Sequence, residues 1–267
     1  MVLYNLFVPK IVKKAKKLNS LDRGLEILEI LAFTKKSMGV TELSEWLDVD
    51  KASVYRTLAT LEAHNMVEQD PETRKYSLGL KLIELSGSLL NQLELRIRAK
   101  PFLRELCERT GESAHLTTFV NNAVVYIDKE ETLGRITVKT EIGIEAPFHC
   151  TATGKAVAAF LPEEKIEELI KIKGLTSYTP KTIVSPGMLK AHFASIRENG
   201  YAVDDEEFDI GVRCIAAPVR NFKGKVIGSV GISGSIVTMT LENIQKHIPV
   251  VLEISKKISS AIGYKEG

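Results

Sequence analysis

The sequence predicts an α+β protein whose first third is a winged helix-turn-helix. Three observations carry this expectation. Residues 41–61 read as two short helices joined by a tight turn. The order helix, helix, helix, hairpin fills residues 21–78. Beyond Thr110, short strand-like runs alternate with helical stretches.

The elements follow in order. Leu21, Leu25, Leu28 and Leu31 recur at helical spacing, widened by Ile27 and Ile30, with Ser20 as the expected N-cap. Gly39 breaks the chain. Thr41 then caps a helix through Leu47, with Ser44 where a capping box prefers Glu. Asp50 caps the next helix, from Lys51 to His64. Val67–Gln69 and Lys75–Leu78 form a hairpin around the turn residues Asp70, Pro71, Glu72 and Thr73. Leu80–Leu95 reads as one longer leucine-rich helix with Gly87 as its weak point; the excess leucine points to a partner subunit. Pro101 opens or kinks the helix that follows. Residues 114–120 and 123–128 are strands around Asn121 and Asn122, and Arg135–Glu141 is another. Helices are expected at 155–161, 163–172, 188–199 and 241–262, and a hairpin at 214–233 around residues 221–224.

Composition bounds the function. The 267 residues suffice for two domains with separate cores. Net charge is only +2, so any nucleic-acid binding must come from local placement. Cys107, Cys150 and Cys214 are odd in number, widely spaced and without a CxxC pair, as expected of reduced thiols in a cytoplasm. No apolar run approaches a membrane span. Lys10, Lys13, Lys14, Lys16 and Lys17 form a basic run, either a solvated arm or a phosphate-contacting one.

On the helix beginning at Lys51, Val54, Leu58 and Leu61 fall on one side. Ala52, Arg56, Ala59, Thr60 and Ala63 fall opposite, flanked by Ser53 and Tyr55. Small residues let the backbone approach base edges. The guanidinium of Arg56 can pair with guanine, a contact worth about 1–3 kcal/mol of discrimination. Lys51 and Ser53 can reach phosphate or a base edge. Residues 19–80 hold seven Lys/Arg against eleven Asp/Glu, which favours a surface helix that binds nothing. Against this, Lys51–Leu61 holds two basic residues and no acid, and the hairpin adds Arg74 and Lys75. Thr41, Lys51, Ala52, Ser53, Tyr55, Arg56, Thr60, Arg74 and Lys75 are the DNA-binding candidates.

These segments closely resemble the IclR-type family of transcription regulators. The resemblance runs from Leu21 to Tyr264 and rests on motifs in order: Thr41-Glu42-Leu43-Ser44, Ser53-Val54-Tyr55-Arg56-Thr57-Leu58, Tyr76-Ser77-Leu78-Gly79, Thr151-Ala152-Thr153-Gly154-Lys155-Ala156, Gly200-Tyr201-Ala202-Val203-Asp204-Asp205, and Gly211-Val212-Arg213-Cys214. It implies a winged-helix domain at 19–79, a linker helix at 80–96 and a GAF-like effector-binding domain at 97–264. It also implies a homodimer or tetramer on a palindromic operator in double-stranded DNA, with no cofactor. The function it implies is a regulator controlled by a small organic acid, a repressor of a catabolic operon. An adaptor that has lost specific DNA binding, or an enzyme using Cys214 or Cys150 with His149 as base, are the alternatives.

For the effector, the resemblance implies backbone donors at Ala152 and Thr153 before Gly154, polar contacts at Asp204 and Cys214, and an apolar wall at Val212. Gly231 and Ser233 complete the set. Glycine at 231, where a second serine can stand, implies a roomier pocket suited to a larger sugar or aromatic acid. A carboxylate at Asp204 would repel an acid unless it kept its proton, used a bridging water or accepted from a ligand hydroxyl. Without the resemblance, residues 204–207 also read as a solvated acidic loop. The segment 149–155 is not a P-loop, because His149 takes the leading glycine position and Ala156 follows Lys155. His149 and Cys150 lack the further ligands of a metal site and are expected to be structural.

Overall fold

The computed structural model describes residues 19–132 and 140–265. The lysine run before Asn19 and most of the strand expected at 135–141 lie outside the described residues. The chain divides into two compact units, with the division between Leu90 and Asn91.

The first unit holds helices α1 (Asn19–Thr34), α2 (Val40–Leu47) and α3 (Lys51–Ala63), then strands β1 (Val67–Gln69) and β2 (Tyr76–Leu78). The strands pair antiparallel, Val67 opposite Leu78. The core gathers Ile27 and Ile30 from α1, Leu43 from α2, Val54 and Leu58 from α3, and Tyr76 from β2. Burying each such side chain stabilises the fold by roughly 1.5–3 kcal/mol. On α1 the buried face runs through Gly24, Ile27, Ile30 and Leu31. Leu21 and Leu25 are 60% and 52% exposed, so the apolar stripe is rotated from the one expected. Ser20 lies inside α1 and does not cap it. Gly39, not Thr41, caps α2, and Glu42 three residues on accepts the Gly39 N–H at 2.7 Å. Asp50 caps α3 as expected, accepting the Ser53 N–H at 2.8 Å.

The expected single helix at 80–95 is two, α4 (Lys81–Gln92) and α5 (Glu94–Thr110). The break falls at Leu93, in extended backbone, and not at Gly87, which lies within α4. Leu93 packs against the core of the second unit, whereas α4 has no buried residue. Pro101 lies well inside α5.

The second unit is built on a six-stranded antiparallel sheet, order β5-β4-β3-β8-β7-β6. Its strands are β3 (Ser113–Val120), β4 (Ala123–Glu130), β5 (Glu145–Ala146), β6 (Ala202–Asp205), β7 (Val212–Arg220) and β8 (Val226–Ser235). Asn121 and Asn122 both take left-handed φ, the backbone a tight hairpin turn requires. The helices are α6 (Ala152–Ala158), α7 (Glu163–Lys173), α8 (Pro186–Asn199) and α9 (Leu241–Ala261). One sheet face presents Leu116, Ile215, Ala217, Val230 and Ile232 to α5 and α9. The other presents Ala202, Ala216 and Cys214 to a layer that includes Ala152 and Ala156 of α6 and Phe193 of α8. The two-residue β5 and the four-residue β6 carry no alternation long enough to be read from sequence.

Two glycines give a contrasting test. A Cβ at Gly154 would lie 2.3 Å from the Pro147 carbonyl oxygen and 2.8 Å from Phe148 Cα. At Gly87 a Cβ meets nothing within 4 Å, in a helix interior. Urea unfolding of the full chain should show Gly154→Ala destabilised by more than about 3 kcal/mol. Gly87→Ala should gain about 0.5–1 kcal/mol, and a loss there would mean that α4 is not helical at that point.

Candidate nucleic-acid interface and ligand site

In the first unit, α2 and α3 are joined by Asp48 in left-handed backbone and by Val49, whose N–H and C=O bond Ser44 O at 3.2 Å and Ser44 Oγ at 2.6 Å. This turn aims α3 so that Val54 and Leu58 are fully buried. Lys51, Ala52, Tyr55, Arg56, Ala59 and Thr60 then point outward, as the helical wheel predicts. Tyr55 is 56% exposed, a large aromatic with no core role. Ser53 departs from its expected place: it is only 9% exposed, and its Oγ accepts Arg56 Nη2 at 3.0 Å. It orients the guanidinium and does not itself face outward. Thr41 is exposed at the second position of α2.

The hairpin tip is ordered by Asp70, whose Oδ1 accepts the N–H of Thr73 at 2.6 Å and of Glu72 at 3.0 Å. Arg74 follows in left-handed backbone, exposed. Lys75 is not a free cation: it pairs with Glu42 at 3.2 Å. The Gly39 N–H, and after it this pairing, hold the Glu42 carboxyl below its usual range.

In the second unit, strand register brings the expected effector residues onto one face. Asp204 on β6 lies opposite Cys214 on β7, and Cys214 opposite Ser233 on β8. Val212 and Gly231, two residues away on their strands, share that face. This is the face on which α6 packs. Thr151 caps α6, its Oγ accepting the Gly154 N–H at 3.0 Å. The N–H groups of Ala152 and Thr153, in the first turn, have no intrahelical acceptor. Every residue of α6 is buried, so these donors sit inside the unit, where an anion meets little competing water.

The same face carries residues that sequence reasoning missed. His115 lies opposite Gly231, its Nε2 2.5 Å from Ser233 Oγ and its Nδ1 3.1 Å from Thr140 Oγ1. Burial pulls the imidazole down to about 4, so it stays neutral. Tyr126 reaches Thr153 Oγ1 at 3.2 Å. A bulge at Ile127 lets Tyr126 share the face of Thr117 while Asp128 sits opposite Leu116, on the other side. No local motif marks either residue, because each joins the site through strand pairing or a distant helix.

Two expectations are corrected. Residues 204–207 are not a solvated loop throughout, since Asp204 and Glu207 are both buried. Burial pushes the Asp204 carboxyl up to about 7, against the pull of Lys155. Gly231 does not open the pocket: a Cβ there would lie 2.3 Å from the Ile215 carbonyl oxygen and 2.7 Å from Ala216 Cβ. The glycine lets β7 and β8 approach, so it is no evidence for a larger ligand. His149 is buried as expected, its Nε2 2.9 Å from the Thr176 carbonyl. Burial raises both the Cys150 and the Cys214 thiols, which removes the thiolate an enzymatic reading would need.

Comparison with known proteins places the chain in a family. A model of the IclR helix-turn-helix domain matches residues 20–71, and one described as bacterial transcriptional regulator IclR C-terminal matches residues 87–260. The HTH-type transcriptional regulator XynR of Escherichia coli K12 is 33% identical over 250 residues, covering 92% of this chain and 98% of XynR. The transcriptional repressor IclR of the same organism is 30% identical over 249 residues, 92% of this chain and 91% of that one. The crystal structure of the Thermotoga maritima IclR superposes with a TM-score of 0.73 at 33% identity, over 93% of this chain and 100% of that one. These relatives are regulators and not enzymes. The chain belongs to the IclR family of DNA-binding transcription regulators.

Proposed function

We propose that this protein represses a catabolic operon and that a small organic acid sets its affinity for the operator. Residues 19–79 read DNA, residues 97–264 bind the acid, and residues 80–96 connect them. The observation that carries the DNA half is the outward face of α3, where Lys51, Ala52, Tyr55, Arg56 and Thr60 stand with no acid among them. Arg56, steadied by Ser53, reads a base edge; Lys51 and the hairpin residues Arg74 and Lys75 hold phosphates. A palindromic operator and a homodimer or tetramer fit this reading, since paired heads read paired half-sites. The relative named as a transcriptional repressor supports the sign of regulation.

The acid meets the free N–H groups of Ala152 and Thr153, with Asp204, Val212, Cys214 and Ser233 around it and His115 and Tyr126 behind. Coupling is reciprocal: whatever factor the acid imposes on operator affinity, the operator imposes on acid affinity.

Fluorescence anisotropy on the DNA upstream of the protein's own gene tests the reading. Wild type should bind tightly and weaken steeply with salt. Arg56→Ala should lose at least about tenfold in specific affinity, or roughly 1.4 kcal/mol, and little on random DNA. Equal binding of both proteins to both DNAs would favour the adaptor reading. Glu42→Gln removes the ion pair that Lys75 must leave to reach a phosphate, so non-specific affinity should rise, and Lys75→Ala should lower the salt slope by about one. An unchanged slope would remove Lys75 from the interface.

A further inference from the structure

We propose that Glu207, by taking the Lys155 ammonium, is a positioning residue that keeps Asp204 in the site as a neutral carboxylic acid, so that Asp204 donates a hydrogen bond to the effector acid and does not repel it. This rests on the effector reading above and assigns the protonation of Asp204.

The argument starts from donor counting. Lys155 is 0% exposed. Its ammonium has three N–H donors. One goes to the Glu207 carboxylate, one to the Val203 carbonyl at 2.6 Å and one toward His192 Nε2 at 3.3 Å. None is left for Asp204. Burial and the nearby ammonium pull the His192 imidazole down to about 4, so it is neutral and accepts. Asp204 is 2% exposed, and its Oδ1 accepts the Glu207 N–H at 2.7 Å. Among the described residues Asp204 has no ion pair.

The groups that face Asp204 are Lys155, Cys150, Glu207, Cys214 and Tyr126. One ammonium therefore stands against two carboxylates in a water-poor layer. With both ionised the cluster would carry an uncompensated buried negative charge. Burial raises the Glu207 carboxyl as well, but Glu207 takes the lysine directly, so Asp204 is the group that keeps its proton. The upward push of burial on Asp204 agrees with this assignment. A carboxylic O–H facing a carboxylate makes a charge-assisted bond.

Infrared difference spectroscopy of the full chain, titrated from mildly acidic to alkaline pH, tests the charge assignment without any effector. The protonated-carboxyl band should disappear near neutrality and be absent in Asp204→Asn. Glu207→Gln hands the lysine to Asp204 and should lower the midpoint by about one pH unit or more, whereas Lys155→Met should raise it. Opposite shifts are what a merely structural role would not produce. Should Lys155→Met fail to fold, Glu207→Gln, which keeps shape, decides. No band assignable to Asp204, or a midpoint unmoved by Glu207→Gln, overturns the proposal.

A second arm uses thermal shifts with gluconate, lactate and benzoate on either side of neutrality. An acid that binds should lose about tenfold in affinity for each pH unit above the midpoint. Asp204→Asn, whose amide donates without titrating, should remove that dependence. An acid bound equally at both pH values overturns the donor role. If none binds while the carboxyl titrates as expected, the charge assignment is supported and the effector reading loses ground.

Discussion

The second unit depends on a short helix that has no solvent side. All seven residues of α6 are buried, and six are Ala, Gly, Thr or Val. Small side chains let the helix lie close against β7 and β8, and Gly154 lets its first turn approach the chain at Pro147 and Phe148. Lys155 is the exception. An ammonium taken out of water costs several kcal/mol unless fully paired, and removing one partner of such a pair is strongly destabilising. Its three acceptors come from β6, the loop after it and α8, so one charge ties these elements to the helix.

That requirement shapes the loop after β6. Thr179 and Thr182 donate to the carbonyls of Glu206 and Glu207, and Asp204 accepts the Glu207 N–H. Glu206 takes left-handed φ, and Lys181 and Arg213 neutralise Asp205 at the surface. The acidic run therefore splits, with two carboxylates turned inward and two outward. Only the inward pair bears on the ligand face.

The DNA-binding half follows a different logic. Its candidate contacts stand on exposed residues of one helix and a hairpin, so they need only that α3 be aimed correctly. Leu43, Val54 and Leu58 do the aiming by burial, and Asp50 starts the helix at the right residue. A net-acidic domain can still present a basic face, because Lys51–Leu61 carries no acid and Glu62 stands only at the far end of α3. Glu42 shows how near acids come, since it already holds Lys75.

These two logics account for what could be read from the amino acids alone. The helix-turn-helix, the hairpin with its Asp70 turn, the Asn121-Asn122 reversal and the β7–β8 pair all rest on near-neighbour signals: caps, periodicity and turn residues. So do the outward residues of α3, which a helical wheel places correctly except for Ser53. On the effector side, the motifs named Asp204, Cys214 and Ser233, but only strand register shows that they form one row. His115 entered that face opposite Gly231, on a strand far along the chain, and Tyr126 through a bulge in its pairing with Thr117 and a contact with the distant Thr153. Gly231, read as empty space, is filled by the neighbouring strand. The rotation of α1, the break at Leu93 and the burial of Lys155 were likewise decided by packing. Local sequence settles conformation where the determining atoms are a few residues apart. Which surface is buried, and which charge meets which, depends on partners that the fold alone brings together.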